Sequence, residues 1–152
     1  MRRVVVSGLL AVMCAMAGGQ AVPAGWKIAK DDKGACQVAV PPNWTVPPGG
    51  GPASLGEMME NMATLTSDVD RLQPMPEAAQ KMLGVTKMID NTDKHVFYFS
   101  RTEFRGNVAM QYRASMPGKG GKGRCHVSVS FKSSMVTDEL AKQIALTLSP
   151  VQ

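Results

Sequence analysis

Apolar and polar residues alternate along much of this chain in short segments divided by turn-forming clusters. The first such segments run from Trp26 to Lys30 and from Ala35 to Val40. Between them lies Asp31-Asp32-Lys33-Gly34, a turn in which Gly34 supplies the positive φ. The pattern predicts a hairpin. Pro41-Pro42-Asn43-Trp44 stops its second strand, because proline has no amide to give to a ladder. After the Pro/Gly-rich loop 47–52, Ser54 and Glu57 match a capping box, and Leu55, Met58, Met59, Met62 and Leu65 follow at helical spacing. A second, shorter helix is expected from Pro76 to Leu83, with Ala79, Met82 and Leu83 as its apolar stripe and Gly84 just past its end.

Strand periodicity then returns. Segments are expected at Val85 to Ile89, His95 to Arg101, Val108 to Ser115 and Arg124 to Lys132, with turns at Asp90 to Asp93 and Arg105 to Asn107. Met116 to Gly123 is a loop rich in glycine and lysine. The last element is a helix from Thr137 to Leu148, buried through Leu140, Ala141, Ile144, Ala145 and Leu148, and ended by Pro150. This order predicts an α+β fold: a mainly antiparallel sheet of about six strands covered by about three helices, an α/β/α sandwich.

The plan resembles the PsbP-like superfamily, the extrinsic photosystem proteins and their exported bacterial relatives. The residues carrying the resemblance are Val38-Ala39-Val40-Pro41-Pro42-Asn43-Trp44, at the end of the opening hairpin, and the closing strand and amphipathic helix from Arg124 to Leu148. The resemblance implies a sheet-between-helices fold and a binding or assembly role. It brings no catalytic residue with it.

The N-terminus has a different character. Arg2 and Arg3 precede an apolar run from Val4 to Ala17 and the small-residue stretch Gly18-Gly19-Gln20-Ala21. This is the layout of a cleavable secretory signal peptide. Cleavage after Ala21 is preferred to cleavage after Ala17. The apolar run is shorter than a spanning helix requires, so a permanent membrane anchor is not expected. Cys14 follows Met13, where a lipoprotein signal would carry a small residue, and is read as part of the leader. Residues 22–152 then make one domain in the secreted or periplasmic space. The leader takes two arginines and no acid with it, so the formal charge falls from +5 to +3, too little and too scattered to indicate nucleic acid.

Two cysteines remain, Cys36 and Cys125. Cys36 shares a strand face with Val38 and Val40, and Cys125 shares one with Val127, Val129 and Phe131. Both thiols point inward in an oxidising compartment, which predicts one disulfide between an early and a late strand.

Candidate chemistry is sparse. His95 and His126 fall on separate strands without metal-ligand spacing, so no metal and no cofactor are expected and both are read as surface histidines. The methionines Met58, Met59, Met62, Met75, Met82 and Met88 would suit Cu(I), but their helical stripe favours core packing. Gly118 to Gly123 has the outline of a phosphate loop, yet Arg124 and Cys125 replace its Lys-Ser/Thr pair and a strand follows it, which argues against nucleotide binding. Lys119, Lys122 and Arg124 are left as an anion- or partner-attracting group. No Gly-x-Ser-x-Gly is present, and Glu57, Glu60 and Glu103 read as cap, solvent face and loop. The expected function is that of an exported, non-catalytic binding or assembly-assisting domain. The alternative is a small exported hydrolase or hydrolase inhibitor.

Overall fold

The computed structural model describes residues 21–47, 61–131 and 135–152. Within them eight strands form two antiparallel sheets. The smaller sheet has the order β1-β2-β8, with β1 at Lys27–Lys30, β2 at Cys36–Val40 and β8 at Ser149–Pro150. The larger has the order β3-β7-β6-β5-β4. Its strands are β3 (Met62–Asp68), β4 (Val85–Asn91), β5 (Val96–Phe104), β6 (Asn107–Pro117) and β7 (Arg124–Phe131). The two α-helices among the described residues are α1 (Glu77–Met82) and α2 (Met135–Leu146).

The expected α+β sandwich of about six strands under about three helices is therefore overturned: the described residues are mostly β. The error originates at Met62 and Leu65. Their i, i+3 spacing fits a helix, but Ala63 and Leu65 fit period two equally well, with the β-branched Thr64 between them and Thr66 after them. Pairing decides the matter. Met62 to Asp68 lies antiparallel to β7 over seven residue pairs, from Met62 opposite Ser130 to Asp68 opposite Arg124. The capping box and the methionines Met58 and Met59 lie outside the described residues.

One face of the large sheet carries the main core. Ala63 and Leu65, Phe97, Tyr112 and Ala114, and Cys125, Val127, Val129 and Phe131 point toward Cys36, Val38, Val40 and Trp44 and toward Ala141, Ile144 and Ala145 of α2. The small sheet and α2 thus share the task of covering one face. Tyr112 sits among Phe97, Phe99 and Phe131, with ring centroids 5.2–5.8 Å away. Its hydroxyl donates to Asp138 Oδ1 on α2 at 3.0 Å, which satisfies the polar end of a buried ring. Burial, with Asp138 and Glu139 beside it, pushes the phenol up to about 12.

The opposite face is covered in part by the crossover 69–84, which runs from β3 at one edge to β4 at the other. Leu72 is buried there with Val96 and Tyr98, flanked by Met75, Val85 and Met88. This explains why β5 reads as an unbroken apolar run at Val96-Phe97-Tyr98-Phe99: both its faces are covered. The predicted stripe of the short helix is corrected. α1 has no buried residue and Met82 is 87 % exposed, because this six-residue helix rests beside an edge strand.

Strand β8 pairs with β2 only at Cys36 and Gln37. Beyond that point Thr147 takes over from a strand. Its Oγ1 accepts the Ala39 amide at 2.9 Å and donates to the Ile144 carbonyl at 2.7 Å. Pro150, expected only to end the last helix, instead belongs to β8. Among the described residues no helix is long and apolar enough to cross a membrane.

Cys36 and Cys125 are joined by a disulfide, with Cα atoms 5.6 Å apart and 89 residues of sequence separation. Both are wholly buried. The bond ties β2 of the small sheet to β7, one strand in from the edge of the large one. Closing a loop of this length restricts the unfolded chain by about 4–5 kcal/mol in the chain-entropy model, and removal of such a bond commonly costs about 2–5 kcal/mol. Urea unfolding of a Cys36→Ala/Cys125→Ala variant is expected to show a loss in that range, with a comparable loss for the native chain in reductant.

Candidate anion-binding site

Three turns converge at the disulfide end of the molecule. The first is the β1–β2 turn, and Asp31 organises it. Its Oδ1 accepts the amides of Ala35 at 2.7 Å and Cys36 at 2.8 Å, and its Oδ2 accepts the Ser67 hydroxyl at 2.5 Å. One carboxylate therefore closes the hairpin turn and ties it to the end of β3. Burial pushes the Asp31 carboxyl up, but the Ser67 hydroxyl and the amides of Cys36, Ala35 and Lys33 outweigh burial and hold it below its ordinary 3.8. Gly34 takes φ +64°, as the turn requires.

The second turn leaves β3 at Asp68. Its Oδ2 accepts Arg124 Nε at 2.7 Å across the β3–β7 pair, and its Oδ1 accepts the Asp70 amide at 2.9 Å. Asp68 thereby fixes the direction of the Arg124 guanidinium. The third turn is the β6–β7 tip. It holds a one-turn 3₁₀ helix at Lys119–Gly121, closed by Gly118 N–H to the Gly123 carbonyl at 3.0 Å and Gly121 N–H to the Gly118 carbonyl at 2.9 Å. Gly123 has φ +65°, and a Cβ there would stand 2.3 Å from the Asp68 carbonyl oxygen. Glycine is thus required where the tip presses against the end of β3.

These turns enclose an open concave site of about 400 Å³, and its wall includes Cys36 of the disulfide. Lys33, Lys119, Lys122 and Arg124 line it, with Asp68 as the acid among them. All three cations anticipated from the loop are therefore brought together. Lys33 and Asp68 were missed. Lys33 was legible only as a turn residue, and its Nζ donates to the Ser67 carbonyl at 3.4 Å. Asp68 meets Arg124 only once residues 62–68 are a strand.

The histidines lie elsewhere. His95 is half-buried, with Nδ1 3.1 Å from Asp90 Oδ2 and its ring 5.7 Å from that of Phe97. His126 is also half-buried instead of on the surface, and its Nδ1 is 2.7 Å from Ser115 Oγ, its partner across β6–β7. Burial, then the cations Arg113 and Arg124, push this imidazole down to about 4, against the opposing effect of Asp68. The ring is therefore neutral near pH 7. Among the described residues no carboxylate hydrogen-bonds to it, and no three His, Cys, Asp or Glu side chains gather as a metal site. No family of proteins matches the chain, and neither a curated protein nor a solved structure matches it.

Acid should weaken the fold in two windows. The unfolded chain protonates His126 below its ordinary 6.5 while the folded imidazole stays neutral to about 4, so stability falls across that interval. The Asp31 carboxylate contributes stability above its ordinary 3.8, and this is lost as pH falls through its lower folded value. In urea midpoints measured against pH, His126→Gln should flatten the upper window and Asp31→Asn the lower.

Gly123→Ala has a separate prediction. It should destabilise the protein by roughly 1–3 kcal/mol through positive-φ strain and the clash with Asp68, and shift the amide resonances of 118–124 and 67–69.

Proposed function

We propose that this chain is an exported, non-catalytic binding domain, and that it engages an acidic partner through the basic concavity at its disulfide end. The observation that carries the reading is the convergence of Lys33, Lys119, Lys122 and Arg124 around one open site, on whose wall Asp68 is the one acidic side chain among the described residues. Such a cleft concentrates positive potential and draws anionic groups toward it. The rim is defined by turn hydrogen bonds and by close backbone contacts at Gly123 and at Gly118, where a Cβ would stand 2.3 Å from the Lys122 carbonyl oxygen, so it is formed before a ligand arrives.

Export is proposed on the basic and apolar leader 1–21, and the buried Cys36–Cys125 disulfide is consistent with an oxidising compartment. Kinship with the PsbP-like superfamily is proposed on the sequence alone: Val38 to Trp44 at the end of the opening hairpin, and the closing segment Arg124 to Leu148.

The alternative reading, a small hydrolase, has one specific observation in its favour, the 2.7 Å contact between Ser115 Oγ and His126 Nδ1. A nucleophile–base pair needs a group to orient the base and an exposed oxygen. Ser115 is buried, at 9 % exposure, and no carboxylate among the described residues orients the ring. Binding is therefore preferred.

The test compares two variants of equal charge change. Lys119→Gln/Lys122→Gln/Arg124→Gln neutralises the site, and Lys81→Gln/Lys87→Gln/Lys94→Gln neutralises three exposed lysines elsewhere. On an anionic column at low salt the site variant should elute clearly earlier than the control variant. Equal retention of the two would remove the case for a localised binding site.

A further inference from the structure

We infer that the concave site takes a phosphate monoester, with its dianionic phosphate among the lysines and its organic tail over the lip. This rests on the binding reading above and specifies the ligand. The first reason is the division of labour among the cations. A planar carboxylate is best recognised by the paired donors of a guanidinium. Arg124 has its Nε already committed to Asp68 Oδ2 at 2.7 Å, so one side of its fork is occupied. What remains is led by three separate ammonium groups, those of Lys33, Lys119 and Lys122. Ammoniums act as rotatable point charges, and three of them match an anion with several acceptor oxygens and more than one charge.

The second reason is charge balance. Arg124 and Asp68 cancel, and the Asp31 carboxylate lies directly behind Ala35, Cys36 and Ser67 of the wall, so the side-chain charges of the three lysines leave a net of two positive charges for the ligand. A phosphate monoester carries about −1.5 to −2 at pH 7, whereas a carboxylate or a sulfate ester carries a single charge. The third reason is the lip. Val69 is 89 % exposed and belongs to the wall of the same site. An apolar side chain held in water beside a cationic cleft offers contact to the carbon skeleton of an ester and nothing to a bare ion. The volume of about 400 Å³ suits a small organic anion.

The experiment is a titration of the disulfide-intact protein with glycerol 3-phosphate at low salt, followed by amide NMR shifts. Saturable shifts are expected at 33–36, 67–69 and 118–124. Lys119→Gln/Lys122→Gln should weaken the affinity about tenfold or more, with Lys33→Gln acting in the same direction. Acetate and methyl sulfate should bind at least about tenfold more weakly than the phosphate ester, because each carries one charge.

Two arms separate the sources of the phosphate. Sedimentation with phosphatidylcholine vesicles containing phosphatidic acid, stronger than with vesicles of equal charge made with phosphatidylglycerol, assigns it to a lipid headgroup. Binding of the soluble ester with no such vesicle preference assigns it to a free metabolite.

With the protein shown folded by its dispersed amide spectrum, failure of both arms overturns the inference. So does equal binding of acetate or methyl sulfate. If the site variant still elutes early from the anionic column in that case, only the ligand class fails and the broader binding reading stands.

Discussion

The Cys36–Cys125 bond is the constraint on which the remaining architecture depends. The small sheet has only three strands, one of them two residues long, and could not hold its own position by backbone pairing. Its inner face is Cys36, Val38 and Val40, and those residues are buried only against the large sheet and α2. The disulfide places that face over Val127 and Val129 of β7, so apolar burial and the covalent link specify the same docking of one sheet on the other. Asp31 reinforces it from the polar side, with one carboxylate shared between the β1–β2 turn and Ser67 of β3.

Binding geometry follows from this docking. Lys33 belongs to the small sheet, and Asp68, Lys119, Lys122 and Arg124 belong to the large one. They share a wall because the docking of the two sheets, held by apolar burial, the Asp31–Ser67 hydrogen bond and the disulfide, brings the β1–β2 turn beside the β6–β7 tip. The same end of the molecule therefore carries its covalent staple, the Asp31 carboxylate with its three hydrogen bonds, and a cluster of four cations. A tip rich in glycine is ordinarily adaptable. Here Gly123 lets the backbone approach Asp68 more closely than any side chain would allow, and the lysines are carried on a defined turn.

The two faces of the large sheet have different chemistry. The inner face is aromatic and aliphatic, and its polar exception, the Tyr112 hydroxyl, is answered by Asp138. The outer face of β6 and β7 alternates Gln111, Arg113 and Ser115 with His126, Ser128 and Ser130. Arg113 donates Nε and Nη2 to Gln111 Oε1, Gln111 Nε2 donates to Ser130 Oγ, and Ser115 pairs with His126. Gln111, Arg113, Ser115, His126 and Ser130 each have a partner, so this part of the face reads as a satisfied polar layer. Neutral His126 follows from its position there, half-buried and flanked by two arginines.

Local signals in the chain were sufficient for the hairpin at 26–40, the strands around 96–101, 108–115 and 124–131, the closing helix and the inward direction of both cysteines. Each depends on periodicity or on a turn residue, and both are properties of neighbouring positions. The alternation that placed Cys36 with Val38 and Cys125 with Val127 also pointed to the disulfide, because it showed two thiols entering one core. The rest depended on partners distant in sequence. Residues 62–68 satisfy two periods at once, and only the free edge of β7 selects the strand. Ser149–Pro150 is too short to pair except where β2 already lies. Lys33 joins Lys119, Lys122 and Arg124 because two sheets are clamped at one end. Local sequence specifies which way a residue faces within its own element, whereas pairing and docking energies between elements decide what it faces. A binding site assembled from three turns belongs to the second kind.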